Sequence, residues 1–372
     1  MPDRVSDATE DQSASSRAAR WCNEGYAQLE AGNLDAAQTL LLRACALAPS
    51  DALIHFRLAL LYSDLRRLPD ALAELDRTLL LEPGHARAHN NRGSVLQQLG
   101  RDGEAEAAYR RAIALDASLE QPFLNLGDLL AQRGDTERAR AIYQDAIARG
   151  HDAGLFGQQV AAISGRTTDR SPDSWVRKHF DYFAPTFDAT LDTIGYVVPV
   201  ELAAVVDRNV PPGRLDVLDL GCGTGKCGAT FAPRKRRLVG VDLSEKMLAT
   251  ARSRRIYDEL HASEIHGWLS SAASASFDLV VAADVLIYIG DLTDLFHGVA
   301  TVLRRSGWFA FSIELCEGSD FELLGTGRYA QSEDYVRRSA APSFDVISSE
   351  AVVLRTERGR PVAGRVFLLQ RR

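Results

Sequence analysis

The sequence has 372 residues, of which 46% are hydrophobic and 25% charged, with a formal net charge of −7. These values fit a folded globular chain with room for two domains and exclude a collagen-like or disulfide-stapled protein. Five scattered cysteines without a CxxC pair predict reduced thiols and no metal site. The N-terminus lacks an apolar core and no run approaches about 20 apolar residues, so we expect a cytoplasmic protein without membrane contact.

The charge is distributed unevenly along the chain. Residues 1–152 hold 17 arginines and no lysine against 23 acidic residues, whereas the remainder is nearly balanced. The one compact basic run, Pro233–Arg237, precedes a predicted strand and is interpreted as a solvated turn. We therefore expect no nucleic-acid partner, because proteins that bind nucleic acid carry a basic stripe or patch.

Residues 1–16 are polar and are predicted to be disordered. From residue 17 to residue 152 the sequence repeats with a period of 34, which gives four units. Gly32, Gly100 and Gly134 mark the turn inside three of the units, with Arg66 in the second. Two further positions recur, a small one and a bulky one: Gly25, Ala59, Gly93 and Gly127, and Leu41, Leu75, Tyr109 and Tyr143.

This pattern resembles the tetratricopeptide repeat, a helical hairpin that stacks into a curved solenoid. The resemblance implies a concave face that binds a peptide or protein partner. Candidate contacts on the first helix of each unit are Asn23, Asn90, Asn91 and Asn125. The alternative is that the repeats only form a dimerisation or spacing element, and both interpretations stay open here.

Residues 153–173 are predicted to form a capping helix as far as Ile163, followed by a linker that ends in Ser-Pro. The second domain is predicted over residues 174–372. It begins with Ser174–Leu191, an aromatic-rich segment that is helical in period and interrupted at Pro185. A helix over Gly195–Val210 is then expected to cover the sheet.

The sequence Val-Leu-Asp-Leu-Gly-Cys-Gly-Thr-Gly at Val217–Gly225 predicts a buried strand that ends in a glycine-rich turn. A second strand, Arg237–Asp242, ends in a carboxylate that could bind the paired hydroxyls of a ribose. A dinucleotide-binding fold is the alternative. The spacing decides against it, because the third glycine comes one residue early and Lys226 takes the sixth position.

Together these motifs resemble those of the class I S-adenosylmethionine-dependent methyltransferases. The resemblance implies a Rossmann-like sheet of seven strands that binds S-adenosylmethionine and releases S-adenosylhomocysteine. It also implies that Tyr182, Phe183 and Phe187 lie over the cofactor as a lid. The cofactor-binding residues that it implies are Asp219, Gly221, Cys222, Gly223, Thr224, Gly225, Asp242, Leu243, Met247, Glu264, Ile265, Ala283 and Tyr182.

The segments after Asp242 complete the predicted domain. Ser244 can cap a helix that begins at Glu245. By the same resemblance, Glu264 would bind the adenine amino group and the Ile265 N–H a ring nitrogen. The remaining elements are strands at Leu260–Ile265, Phe277–Ala283 and Gly307–Glu314, a helix at Asp291–Leu303, and an antiparallel pair at Phe344–Leu354 and Val362–Gln370.

Methyl transfer is an in-line displacement at a sulfonium, so positioning and water exclusion can supply most of the acceleration. A hydroxyl or ammonium acceptor needs a base, whereas a carboxylate acceptor needs none. Tyr288, Asp284 and His179 are weak catalytic candidates, and we assign no general base. The segment Gly327–Val336 resembles a substrate-side loop of methyltransferases that carry these repeats, in which a histidine often stands at the position of Gln331.

The expected fold is α + α/β, a tetratricopeptide solenoid followed by a seven-strand class I methyltransferase domain. We expect a methyltransferase whose repeats recruit a peptide, a protein or a carrier-bound acceptor. One alternative is a small-molecule O- or N-methyltransferase whose repeats mediate homodimer formation. Another is a scaffold with a vestigial cofactor domain, which the intact glycine turn and Asp242 disfavour.

Overall fold

The computed structural model describes residues 4–357 and 359–372, with side chains from residue 14 onwards. The chain divides into two compact units, Met1–Phe156 and Gly157–Arg372. The first helix begins at Arg4, so the prediction of disorder is wrong for residues 4–16, while residues 1–3 lie outside the described residues. The polar run contains neither glycine nor proline after residue 3, so the helix continues back from Ala18 and Cys22, which are buried.

The first unit is helical. Consecutive helices from α1 to α8 pack in pairs, which gives four hairpins and confirms the predicted repeats. The helices are α1 Arg4–Glu30, α2 Leu34–Leu47, α3 Ala52–Asp64, α4 Leu68–Leu81, α5 Ala86–Gln98, α6 Asp102–Leu115, α7 Glu120–Gln132, α8 Thr136–Ala148 and α9 Ala153–Ile163.

Small residues let the two helices of a hairpin approach closely. A Cβ atom added at Gly127 would lie 2.1 Å from Tyr143 Cε1, and one at Gly93 would lie 2.5 Å from Tyr109 Cε1. The hydroxyl of Tyr143 donates a hydrogen bond to Asp128 at 2.6 Å, which fixes the ring in this position. The recurrence of glycine opposite a tyrosine ring therefore reflects helix packing inside the third and fourth units.

The predicted asparagine contacts bond to one another along the first helices. Asn125 Nδ2 donates to Asn90 Oδ1 at 3.0 Å, and Asn90 Nδ2 donates to Asn91 Oδ1 at 3.2 Å. In the first two repeats, Arg57 Nη1 donates to Asn23 Oδ1 at 2.8 Å. These side chains thus join neighbouring repeats through hydrogen bonds in addition to offering polar groups to a partner.

The second unit is built on a seven-stranded sheet of order β3-β2-β1-β4-β5-β9-β8, which confirms the predicted strand number. The first five strands run parallel, and β9 pairs antiparallel with both β5 and β8. A small sheet pairs β6 with β7. The strands are β1 Leu215–Leu220, β2 Lys235–Asp242, β3 Glu259–Ala262, β4 Phe277–Ala282, β5 Leu303–Glu314, β6 Phe321–Leu323, β7 Tyr329–Gln331, β8 Phe344–Glu357 and β9 Arg360–Arg371.

Helices cover both faces of this sheet, with a hydrophobic cluster on each face. The predicted aromatic helix breaks at Pro185 into α10 and α11, as the sequence indicates. The helices are α10 Asp173–Phe183, α11 Phe187–Thr193, α12 Val198–Asn209, α13 Lys226–Phe231, α14 Glu245–Ser253, α15 Ile265–Ser271, α16 Thr293–Val302 and α17 Glu333–Ala340.

Two further observations bear on the predicted environment of the chain. In residues 4–357 and 359–372, no single helix is long and apolar enough to cross a bilayer; α11 and α12 meet the criterion only together, across a bend of 78°. All five cysteines are free thiols in this structure.

We expect Gly127→Ala to destabilise the first unit by about 1–3 kcal/mol, because the new methyl group collides with the Tyr143 ring. The matched control is Gly103→Ala on α6, where a Cβ meets no atom within 4 Å and the change should be neutral or stabilising by up to about 1 kcal/mol. Thermal unfolding of the full chain measures both. Equal melting temperatures for the two variants would contradict this account of the packing.

Candidate active site

A cavity of about 370 Å³ opens at the carboxyl ends of β1, β2 and β4, the edge where ligands bind in parallel sheets. The turn after β1 forms one wall, and α10 and α11 form the wall opposite. Of the predicted cofactor residues, nine line the cavity: Gly221, Cys222, Gly223, Thr224, Asp242, Leu243, Glu264, Ile265 and Ala283.

The turn between β1 and α13 requires glycine. Gly221 and Gly223 have φ values of 63° and 54°, in the left-handed region that a side chain disfavours. A Cβ at Gly221 would also lie 2.4 Å from Val285 Cγ2. The absence of side chains lets the backbone turn sharply beside the cavity, where a ligand can approach the main chain.

Asp242 at the end of β2 fixes the position of this turn. One carboxylate oxygen accepts a hydrogen bond from the Gly223 N–H at 2.8 Å, and the other accepts one from the Ser244 N–H at 2.8 Å. Burial at the cavity wall raises the pKa of Asp242 despite these donors. A carboxylate can accept about four hydrogen bonds, so Asp242, which lines the cavity, keeps acceptor capacity for the predicted ribose hydroxyls.

The adenine end of the predicted site combines an apolar wall with a helix cap. Leu243 and Ile265 supply the apolar surface. Glu264 caps α15, since its carboxylate accepts from the His266 N–H at 2.9 Å and the Gly267 N–H at 2.7 Å. Its predicted bond to an adenine amino group would therefore use a lone pair that the cap leaves free.

Helical spacing decides which lid residues face the cavity. Phe183 lies one helical turn after His179 and Phe180 on α10, and all three line the cavity together with Phe187. Tyr182 lies on another side of the same helix, is 67% exposed and does not line the cavity, so the structure does not bring it together with the other predicted cofactor residues.

Hydrogen bonds anchor both lid helices to the cofactor loops, a feature that sequence reasoning missed. Asp181 on α10 accepts from Ser244 Oγ at 2.5 Å, and Asp188 on α11 accepts from Thr224 Oγ1 at 2.5 Å. The carboxylates occur where the pattern indicated a lid, but their partners are distant in sequence. The sequence alone therefore did not indicate these two hydrogen bonds.

Three predicted cofactor residues lie away from the cavity surface. Asp219 is fully buried and accepts a hydrogen bond from the Tyr257 hydroxyl at 2.6 Å. Met247 is fully buried in α14, and Gly225 precedes α13 with φ 90°. Their contribution to a cofactor site would come from holding β1, β2 and the turn in place.

The weak catalytic candidates meet at the end of β4. Asp284 has φ 53°, which is strained for a residue with a side chain, and its carboxylate accepts from Ser312 Oγ at 2.9 Å and Arg355 Nη1 at 2.7 Å. Burial raises the pKa of Tyr288 to about 12. Burial and the nearby Arg328 lower the pKa of His179 to about 4, so its imidazole is neutral at pH 7 and a poor base.

Asp284 belongs to a group of five charged side chains that bond to one another, and we call this group the charged cluster. It consists of Asp284, Glu314, Arg328, Arg355 and Glu357. Sequence reasoning missed four of them. Glu314 and Arg355 each follow a largely apolar run of their strand, and a charge that is buried at such a position requires a partner.

Gln331 holds the segment that carries Tyr288. Its Nε2 donates to the Leu286 carbonyl at 3.0 Å and to the Ile289 carbonyl at 2.8 Å. From the other side, the Ser171 N–H donates to the Tyr288 carbonyl at 2.9 Å. The fully buried Gln331 therefore shapes the acceptor end of the cavity and is not placed as a base.

Comparison with known families agrees with this geometry. A methyltransferase domain profile matches residues 217–307, and tetratricopeptide repeat profiles match residues 22–77, 56–120 and 121–149. The glycine turn, the carboxylate of Asp242 and the sheet order define a class I S-adenosylmethionine-dependent methyltransferase domain. The chain thus joins tetratricopeptide repeats to such a domain, whose cofactor is S-adenosylmethionine.

Individual relatives resemble the second unit. A probable S-adenosylmethionine-dependent methyltransferase of Saccharomyces cerevisiae is 34% identical over 44% of this chain and 56% of its own length. The ubiquinone biosynthesis O-methyltransferase of Thiobacillus denitrificans is 30% identical over 29% of this chain and 47% of its own. The chain thus spans about half the length of these two relatives.

A solved structure, the magnesium protoporphyrin IX methyltransferase of Synechocystis with bound S-adenosylhomocysteine, has 16% identity and a TM-score of 0.41. It covers 54% of this chain and 99% of its own.

We expect Asp242→Asn to weaken binding of S-adenosylmethionine by about 1–3 kcal/mol, roughly 5- to 150-fold in Kd, through the loss of charge-assisted bonds to the ribose. Asp258→Asn is the matched control, because that carboxylate also accepts a backbone N–H of β2, at 2.7 Å, but does not line the cavity. Titration calorimetry measures both. An unchanged Kd for Asp242→Asn would overturn the ribose assignment.

Burial raises the pKa of Asp219 to about 7, so the native state binds this proton more tightly than the unfolded chain does. The contribution of this proton to the free energy of unfolding is complete below pH 3.8, the ordinary pKa of an aspartic acid. It is lost as the pH rises to about 7. From pH 5 to pH 8 the loss is about 2–3 kcal/mol, from about 1.4 kcal/mol per pH unit. Calorimetric unfolding should show a weaker pH dependence in Asp219→Asn, and an identical one would contradict the raised pKa.

Proposed function

We propose that this protein is an S-adenosylmethionine-dependent methyltransferase whose repeats recruit a peptide, a protein or a carrier-bound acceptor. The observation that carries the proposal is the cavity that runs from Asp242 and the glycine turn to Asp284 and Tyr288. One end offers the groups that a nucleoside needs, and the other end lies where an acceptor would meet the methyl group.

When bound, S-adenosylmethionine supplies an electrophilic methyl group. Asp242 binds the ribose hydroxyls, and the glycine turn lets the backbone contact the rest of the ligand. Phe180, Phe183 and Phe187 exclude water from the reacting atoms. Tyr288, held by its loop and by ring contact with Phe180 at 5.4 Å, orients the acceptor.

The recruiting role is supported by the form of the first unit. The first helices of its third and fourth repeats carry the amides of Asn91 and Asn125, which are partly exposed. Amide side chains can bond to the main chain of an extended peptide, which is a common use of such solenoids.

A second candidate is methylation of a small molecule, with the repeats mediating dimerisation. The aromatic lid favours it, since a covered cavity suits a compact acceptor. One relative is named as an O-methyltransferase of ubiquinone biosynthesis, which also favours a small acceptor. The scaffold alternative is disfavoured because Gly221, Gly223 and Asp242 keep the geometry that cofactor binding needs.

The deciding experiment supplies methyl-labelled S-adenosylmethionine to the purified protein and a lysate of its source cell. We expect label in the protein fraction. Gly223→Arg, which fills the cavity beside Phe187, should abolish the transfer and is the negative control. Label only in small molecules would favour the second candidate, and no transfer despite cofactor binding would favour the scaffold.

The recruiting role has a test of its own. Asn91→Arg places a bulky charge on a first helix and should reduce labelling of protein while S-adenosylmethionine binding is unchanged. The control is Gln144→Arg, an exposed position on the second helix of its repeat. Equal protein labelling by the two variants would contradict recruitment through this face.

A further inference from the structure

The charged cluster joins the ends of three strands beside the acceptor end of the cavity. Arg355 on β8 contacts Asp284 after β4, Glu314 at the end of β5 and Glu357, so each of its three nitrogens bonds a carboxylate. Arg328 bridges Glu314 at 3.0 Å and Glu357 at 2.7 Å. Asp284, Arg328, Arg355 and Glu357 line the cavity directly.

The charges of the cluster do not balance. The side chains of Arg355 and Glu314 are each 5% exposed and that of Asp284 is 13% exposed, so these three lie largely away from water. Arg328 and Glu357 are 20% and 31% exposed, and the five side chains together hold three carboxylates against two guanidinium groups. A buried surplus of negative charge is costly unless a cation compensates it.

The remaining walls suit an organic cation. Phe180, Phe183 and Tyr288 line the same cavity as the cluster, and the ring centroids of Phe180 and Tyr288 are 5.4 Å apart. Aromatic faces attract cations within about 6 Å, and this attraction grows when water is excluded. An anionic acceptor would meet the surplus carboxylate instead, and both guanidinium groups already serve other partners.

We propose that the acceptor is an amine, bound between the aromatic lid and the charged cluster, and that Glu314 and Asp284 set this specificity. The inference rests on the proposed methyltransferase function and narrows its substrate class.

The chemistry of transfer favours the same assignment. The ammonium form of the acceptor first releases one proton to water. The nitrogen lone pair then forms a bond to the methyl carbon while the carbon–sulfur bond breaks, and the electron pair of that bond stays on sulfur. Positive charge thus moves from sulfur to nitrogen, where the surplus carboxylate stabilises it. The negative charge opposes proton loss from an ammonium and from a hydroxyl alike. The amine differs because its methylated product carries a positive charge that the carboxylate stabilises, whereas an ether product carries none.

The test uses the full chain saturated with S-adenosylhomocysteine, so that cofactor binding is measured first and separately. Calorimetry then compares three probes of similar shape: benzylamine as the cation, benzyl alcohol as the neutral analogue and benzoate as the anion. We expect benzylamine to bind about tenfold more tightly than benzyl alcohol and benzoate to bind more weakly still. Equal or weaker binding of benzylamine, including none detected, overturns the proposal.

Two variants locate the origin of the preference. Glu314→Gln removes the surplus charge with little change in size, and we expect it to reduce the preference to about threefold or less. If that variant does not fold, Asp284→Asn removes another carboxylate charge of the cluster, and we expect it to reduce the preference for benzylamine to the same extent. The control is Asp216→Asn, which lies at the amino end of β1 in an ion pair with Arg236 at 2.6 Å, and it should keep the full preference. A preference that survives in Glu314→Gln or Asp284→Asn contradicts the role given to the cluster.

One further titration separates the two sources of an amine. Tighter binding of Nα-acetyllysine amide than of benzylamine supports an amine acceptor on a peptide side chain, and the reverse order supports a small amine. Failure of S-adenosylhomocysteine to bind would refute the methyltransferase function itself. When S-adenosylhomocysteine does bind, the titrations with the probes test only the amine assignment.

Discussion

The cofactor site depends on one carboxylate. Asp242 accepts the N–H groups of Gly223 and Ser244, so it ties the turn after β1 to the start of the helix after β2. The two adjacent parallel strands therefore present their ends as one surface. Without this connection the glycine turn would keep its freedom of conformation, and cofactor binding would have to supply the entropy of ordering it.

The lid and the acceptor end are assembled around that surface by polar contacts. Asp181 and Asp188 attach the two aromatic helices to the loops after β2 and β1, so the lid is positioned by the same segments that we propose bind the cofactor. Gln331 and the charged cluster hold the opposite end. Closure over a ligand and placement of the acceptor are thus linked through side chains that need not touch the ligand.

The period of the repeats, the glycine turn and the acid at the end of β2 were predictable because each is local in sequence. The pairs Gly127–Tyr143 and Gly93–Tyr109 show why the repeat pattern is informative, since the same close contact recurs in successive units. The exposed position of Tyr182 was not predictable, because the phase of α10 is set by packing and not by its composition. The charged cluster brings together residues from positions 284 to 357, and no local pattern shows which charges will meet.

The polar N-terminal segment also shows that local composition alone does not determine structure. Its composition favoured disorder, yet a run without glycine or proline can extend a helix whose first anchored positions are Ala18 and Cys22. Local composition sets what a segment can do, whereas the contacts of its neighbours decide what it does.

A crystal structure of the complex with S-adenosylhomocysteine tests the central claim most directly. The account predicts that both ribose hydroxyls lie within about 3 Å of the Asp242 carboxylate, the usual distance of a charge-assisted hydrogen bond. It also predicts that the sulfur faces the space bounded by Tyr288 and Asp284. A ligand whose ribose avoids Asp242, or whose sulfur points away from the charged cluster, would contradict it.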